Sequence, residues 1–150
     1  KVNSNISNEI NITASSILSN SGQYSPLNVL QFESRNYFMT ENNANSWICF
    51  DFKERKIIPA HYMIRSYNGD RDQHPKSWVI EVSNNNANWE IIDQQNNCSY
   101  LNGKSKVFTF RIQKQNGREY KCIRLRQTGP NWLDKNQLLI DSFELYGELI

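Results

Sequence analysis

The stretch SWVIEVSNNNANWEII, residues 77–92, decides how the rest of the sequence is read. Trp78, Ile80 and Val82 alternate with Val79 and Glu81, the two-residue period of a strand with one face turned to a core. Asn84-Asn-Asn then supplies side chains suited to positive φ and to hydrogen bonding inside a turn. A second short run from Trp89 to Ile92 completes a hairpin.

The same period continues on both sides. In WICFDF (47–52), Ile48, Phe50 and Phe52 share a face opposite Trp47, Cys49 and Asp51. In HYMIRSY (61–67), Tyr62 and Ile64 oppose His61, Met63 and Arg65. KVFTFRI (106–112) sets Phe108, Phe110 and Ile112 against Val107, Thr109 and Arg111, and KCIRLRQ (121–127) sets Ile123 and Leu125 against Cys122, Arg124 and Arg126. Asn68-Gly, Asn102-Gly and Asn116-Gly punctuate these runs. Short strands at this spacing, with no long amphipathic helix among them, predict an all-β antiparallel sandwich of about eight strands. Ser25-Pro26 starts one helical turn over 26–30, with Ser as cap and Pro at the first position. Residues 1–10 read as a loose arm before a short strand near Ile12.

Composition agrees. A chain of 150 residues, 38% hydrophobic and 12% aromatic, is globular, of one-domain size, and long enough to bury about 70% of its unfolded surface. It begins without Met, so we expect residues 1–150 to be one domain excised from a longer protein. No apolar run has membrane-spanning length, and the opening residues lack a signal-peptide pattern. Cys49, Cys98 and Cys122 are odd in number and widely spaced, which argues for reduced structural thiols and an intracellular, cytoplasmic location. The three Asn-X-Ser/Thr triplets, at Asn5, Asn11 and Asn97, count for little, because a chain with 21 Asn produces about three by chance.

In order, ITASS, SPLNVL, NSWICFDF, SWVIEVSNNNANWEII, YKCIRLRQ and FELYG resemble the discoidin, or coagulation factor type C, domain over nearly the whole chain. The resemblance implies a galactose-binding-like jelly roll with ligands taken by loops at one end. Secreted members join the two ends of the domain through a disulfide, which this chain lacks. IPAHYMIRSY followed by HPKSWVIE is more similar to the intracellular BTB-associated subgroup, a protein-interaction class.

By resemblance, the binding loops fall at about 19–25, 37–45 and 67–76, with 127–136 nearby. They carry the candidate ligand contacts Tyr24, Asn43, Arg65, Tyr67, Asp70, Arg71, Asp72, His74 and Trp132. Sugar-binding relatives use Arg, His and acidic groups beside an aromatic ring. Calcium stays open through Asp70 and Asp72, although their spacing lacks the ligand count of a calcium loop; no other cofactor is implied, and no residue set has metal-ligand spacing. Eight basic residues and one acid between Lys104 and Arg126 predict a basic face built on Arg111, Lys121, Arg124 and Arg126. Nucleic acid is not expected there, since no aromatic ladder interleaves with the charges. Polar loop tips argue against membrane binding. Without a nucleophile paired to a base, a carboxylate pair or a phosphate loop, no catalysis is expected. These readings give first a binding module for an intracellular protein partner, alternatively a lectin-type carbohydrate module, or a domain that packs within its parent chain. The sequence leaves its oligomeric state open.

Overall fold

Strand pairing follows from the alternation. The structure, a computed structural model, describes residues 9–33, 35–69 and 72–150. Among these are nine strands: β1 (Asn11–Ala14), β2 (Phe38–Met39), β3 (Trp47–Asp51), β4 (Ile57–Ser66), β5 (Trp78–Ser83), β6 (Glu90–Gln95), β7 (Val107–Arg111), β8 (Cys122–Gln127) and β9 (Leu139–Leu149). They form two antiparallel sheets, ordered β1-β3-β8-β5-β6 and β2-β9-β4-β7. A 3-10 helix spans Pro26–Leu30, where the Ser25 hydroxyl accepts from Leu27 N and Pro26 occupies the first turn. The expected fold class is therefore the observed one.

Side chains from the inner faces meet between the sheets as the period of two requires. Ile48, Phe50, Tyr62, Ile64, Trp78, Ile80, Val82, Ile123 and Leu125 all belong to this core. Phe50 and Phe143 stack at 5.0 Å and Tyr62 and Phe110 at 5.1 Å, while the Trp78 ring stands edge-on to Phe110 at 5.4 Å. One polar network bridges the sheets: the Tyr62 hydroxyl donates to Asp93 at 2.5 Å and accepts from Trp78 Nε1 at 3.0 Å. Asp93 also accepts from Gln113 N and Gln95 Nε2, so both of its oxygens are used.

Two expectations are corrected. Every residue of β5 is buried, not alternate ones, because β5 lies inside its sheet and Glu81 on its outer face is covered by Arg124 and Arg126. Phe108 keeps 38% of its surface exposed because β7 is an edge strand. The expected loose arm falls, apart from Glu9 and Ile10, outside the described residues, and Ile10 packs into the core. Among the described residues no helix is long and apolar enough to cross a membrane.

Antiparallel pairing sorts the connections into two groups. Those at 15–37, 40–46, 67–77, 96–106 and 128–138 leave the sandwich at one end, and those at 52–56, 84–89 and 112–121 leave at the other.

Candidate functional site

The end with five connections gathers three tyrosines from three separate segments. Tyr24 lies edge-on to Tyr37 at 5.5 Å, and Tyr37 is tilted against Tyr67 at 4.7 Å. All three are half-buried, so each presents part of a ring to solvent. Their placement follows from local sequence. Phe38 is committed to the core, which turns its neighbour Tyr37 outward, and Tyr67 is the first residue past the end of β4. Asn28 Nδ2 donates to the carbonyls of Gly22, Gln23 and Tyr37, tying the first loop to the segment before β2. Exposed Gln23 donates its amide to the Tyr37 hydroxyl at 3.0 Å. Desolvation, with Tyr37 beside it, raises the Tyr24 phenol above its ordinary value.

Buried His74 and half-buried Trp132 act as struts for these loops. His74 is 1% exposed: its Nδ1 accepts from Gly103 N at 3.1 Å, which leaves Nε2 as the protonated nitrogen, donating to the Tyr67 carbonyl at 3.2 Å. The sequence marked His74 as a ligand contact; both ring nitrogens are instead used to bind Tyr67 to the β6–β7 loop. Trp132, only half-buried, is also tied to its surroundings. Its backbone N–H donates to His74 O, its indole donates to Cys98 O at 3.3 Å, and the Lys76 ammonium covers its ring at 4.8 Å.

Arg65 is likewise engaged within the fold. Its guanidinium donates to Phe32 O at 2.7 Å, lies 4.4 Å from the Phe32 ring centre and sits 3.8 Å from Asp141. Asp141 is buried at a register shift between β4 and β9, and burial, opposed by Arg65, pushes its carboxyl up to about 6.

Asn43 and Asp72 are exposed on loops at this end, whereas Asp70 and Arg71 lie outside the described residues. Among the described residues no cluster of His, Cys, Asp and Glu could hold a metal ion. Sequence reasoning missed Tyr37 as a site residue, although the commitment of Phe38 to the core was the signal that could have found it.

The basic face does not form as one surface. Arg111 is on β7, and Arg124 and Arg126 are on β8, in the other sheet. Both β8 arginines are bound to Glu81, Arg124 through Nε and Arg126 through Nη2, each at 2.6 Å. Desolvation alone would raise the Glu81 carboxyl, but these bonds outweigh it and hold it below its ordinary value. Lys121 sits 4.0 Å from Asp51. Runs of sequence charge were a poor guide here because the acids that neutralise them come from other strands.

All three cysteines are buried and unpaired. Burial raises their thiols, that of Cys49 to about 12, so they behave as small apolar side chains and carry no information about compartment.

The family model for the F5/8 type C domain matches residues 11–138. Among solved structures, CpGH89CBM32-5 from Clostridium perfringens, in complex with GalNAc-beta-1,3-galactose, is similar at a TM-score of 0.74 and 12% identity, covering 93% of this chain and 96% of that one. CBM32-3 from a family 31 glycoside hydrolase of the same organism gives 0.72 and 13%, covering 94% and 92%. A chitosan-binding module of a Paenibacillus sp. IK-5 chitosanase/glucanase, in complex with chitotriose, gives 0.68 and 15%, covering 93% and 97%. At these identities the likeness shows the shared fold. The finer resemblance to the intracellular BTB-associated subgroup receives no support from these comparisons, and with it the protein partner and the cytoplasmic location lose their main ground.

Proposed function

The chain belongs to the F5/8 type C domain family, and from that premise we propose that it is a carbohydrate-binding module taking a saccharide at the five-loop end. The observation that carries this reading is the wedge of Tyr24, Tyr37 and Tyr67, three half-exposed rings held at 5.5 and 4.7 Å by loops on a rigid sandwich. A pyranose offers apolar C–H faces and polar hydroxyl edges, and tyrosine answers both with a ring face and a phenolic tip. The Gln23 amide beside the Tyr37 hydroxyl adds a group able to orient a ligand hydroxyl.

Support also comes from solved relatives with the same fold, which are described as modules bound to GalNAc-beta-1,3-galactose and chitotriose. His74, Asn28 and Trp132 hold the loops in place before a ligand arrives, so little ordering cost falls on binding. This reading replaces the protein-interaction module as the first choice.

A glycan array followed by calorimetric titration tests it. Binding to at least one saccharide is expected, with Tyr37→Ala and Tyr67→Ala each weakening it about tenfold or more, or about 1.4 kcal/mol. Absence of binding to every glycan at millimolar concentration, or full binding by both variants, would overturn it.

A further inference from the structure

The end of the sandwich opposite the tyrosines holds an open cleft of about 740 Å³, within the range of roughly 300–1,000 Å³ occupied by small-molecule sites. Its walls come from the 52–56, 84–89 and 112–121 connections, with Lys56, Asn84, Asn88, Trp89, Arg118 and Glu119 among the lining residues. The frame is rigid. Asn84 donates to Glu119 O at 3.2 Å and accepts from Lys121 N at 2.9 Å, fastening the β5–β6 turn to the β7–β8 connection. Asn85 Oδ1 accepts from the Ala87 and Asn88 amides and fixes the turn itself. Half-buried Trp89 is held by the Arg124 guanidinium, 4.0 Å from its ring centre.

On this frame the exposed side chains of Lys56, Asn88, Arg118 and Glu119 make no hydrogen bond or salt bridge among the described residues. Glu90, deeper in the cleft, is already met by Lys114 and by the Tyr120 hydroxyl. What remains is an indole, an amide, two cationic donors and one anionic acceptor, so the lining has little net charge and offers both donors and acceptors. A polyhydroxylated neutral ligand matches that mixture, because each sugar hydroxyl both donates and accepts, whereas a strongly anionic ligand would be opposed by Glu119 and a cationic one by both Lys56 and Arg118.

We propose that this cleft is a second saccharide site, for an uncharged oligosaccharide, independent of the tyrosine end. The two sites would sit at opposite ends of the strands. The eleven residues of β9 span on the order of 36 Å, at about 3.3 Å per residue. A short oligosaccharide cannot reach from one site to the other, so the two ends would take separate short ligands.

Titrating the ¹⁵N-labelled chain with cellotriose, N-acetylated chitotriose, a galactosyl disaccharide and digalacturonate, each to millimolar concentration, tests the assignment residue by residue. At least one neutral sugar is expected to shift the amides of residues 84–90 and 117–120 and the Trp89 indole signal saturably. The Asn88→Ala/Arg118→Ala double variant, altered only at exposed side chains, should lose those shifts while keeping the thermal midpoint. Stationary turn-end signals with every neutral sugar, a response to digalacturonate alone, or shifts undiminished in the double variant would overturn the proposal. Signals of Tyr24, Tyr37 and Tyr67 report the other end separately, so failure at one end is told apart from failure at the other.

Discussion

Gly69 illustrates how much a single position decides, since a Cβ built there would stand 2.2 Å from Cε1 of the Tyr67 ring. Gly69→Ala is therefore expected to swing that ring out of the tyrosine wedge, weakening saccharide binding about tenfold with little change in melting temperature, as titration beside thermal unfolding would show. Asp141 sets a pH dependence. Its carboxyl rises from the ordinary 3.8 to about 6 in the folded chain, so the folded state holds the proton more tightly than the unfolded one. The stability this contributes is fully present below pH 3.8 and is lost as pH rises through about 6, amounting to about 3 kcal/mol at most. Asp141→Asn should flatten that part of the stability profile, measured as urea midpoints between pH 3.5 and 7. Neither effect could be read from sequence. YNG marks a turn without showing that a ring lies on the glycine, and the acid of LLIDSF sits in a strand whose register shift is a tertiary event. Identities of candidate residues were legible in their loops, but the pointing of His74, Arg65 and Trp132 was not, because their partners lie 29, 33 and 34 positions away in the chain.

Elements were far more legible, because a period of two states which face is buried. The hairpin read from SWVIEVSNNNANWEII is β5 and β6, and SPLNVL is the 3-10 helix. Legibility failed where a strand's outer face is covered as well. Glu81 sits on the outer face of β5, 4% exposed, and alternation alone would leave it in water. Glu81→Gln leaves two arginines without their countercharge and is expected to cost about 2–4 kcal/mol, seen as a lower denaturant midpoint at unchanged slope. The closing glycine of FELYG also gains a reason at this scale. A Cβ on Gly147 would lie 2.2 Å from the Ile58 carbonyl oxygen, so glycine is what lets β9 approach β4 beside the irregularity at Pro59.

At the scale of the whole molecule, a polar network joins the two sheets. Tyr62→Phe would strip Trp78 Nε1 and Asp93 of a buried partner at once, and a loss of about 1–3 kcal/mol in chemical unfolding is the expected result. Sheet order was not legible, since alternation says nothing about which strands become neighbours. That order has a consequence in time. β8 lies between β3 and β5, and β9 lies between β2 and β4, so the last two strands made by a ribosome are the ones that knit the earlier ones together. Until they emerge, the β1–β3 pair and the β5–β6 hairpin have no common neighbour, and the β4–β7 pair has nothing to join it to β2. Such a chain gains little from local contacts and must close long loops before it is repaid, which places it among slow, late-committing folders. During synthesis its unpaired edges stay open to other nascent chains for nearly its whole length.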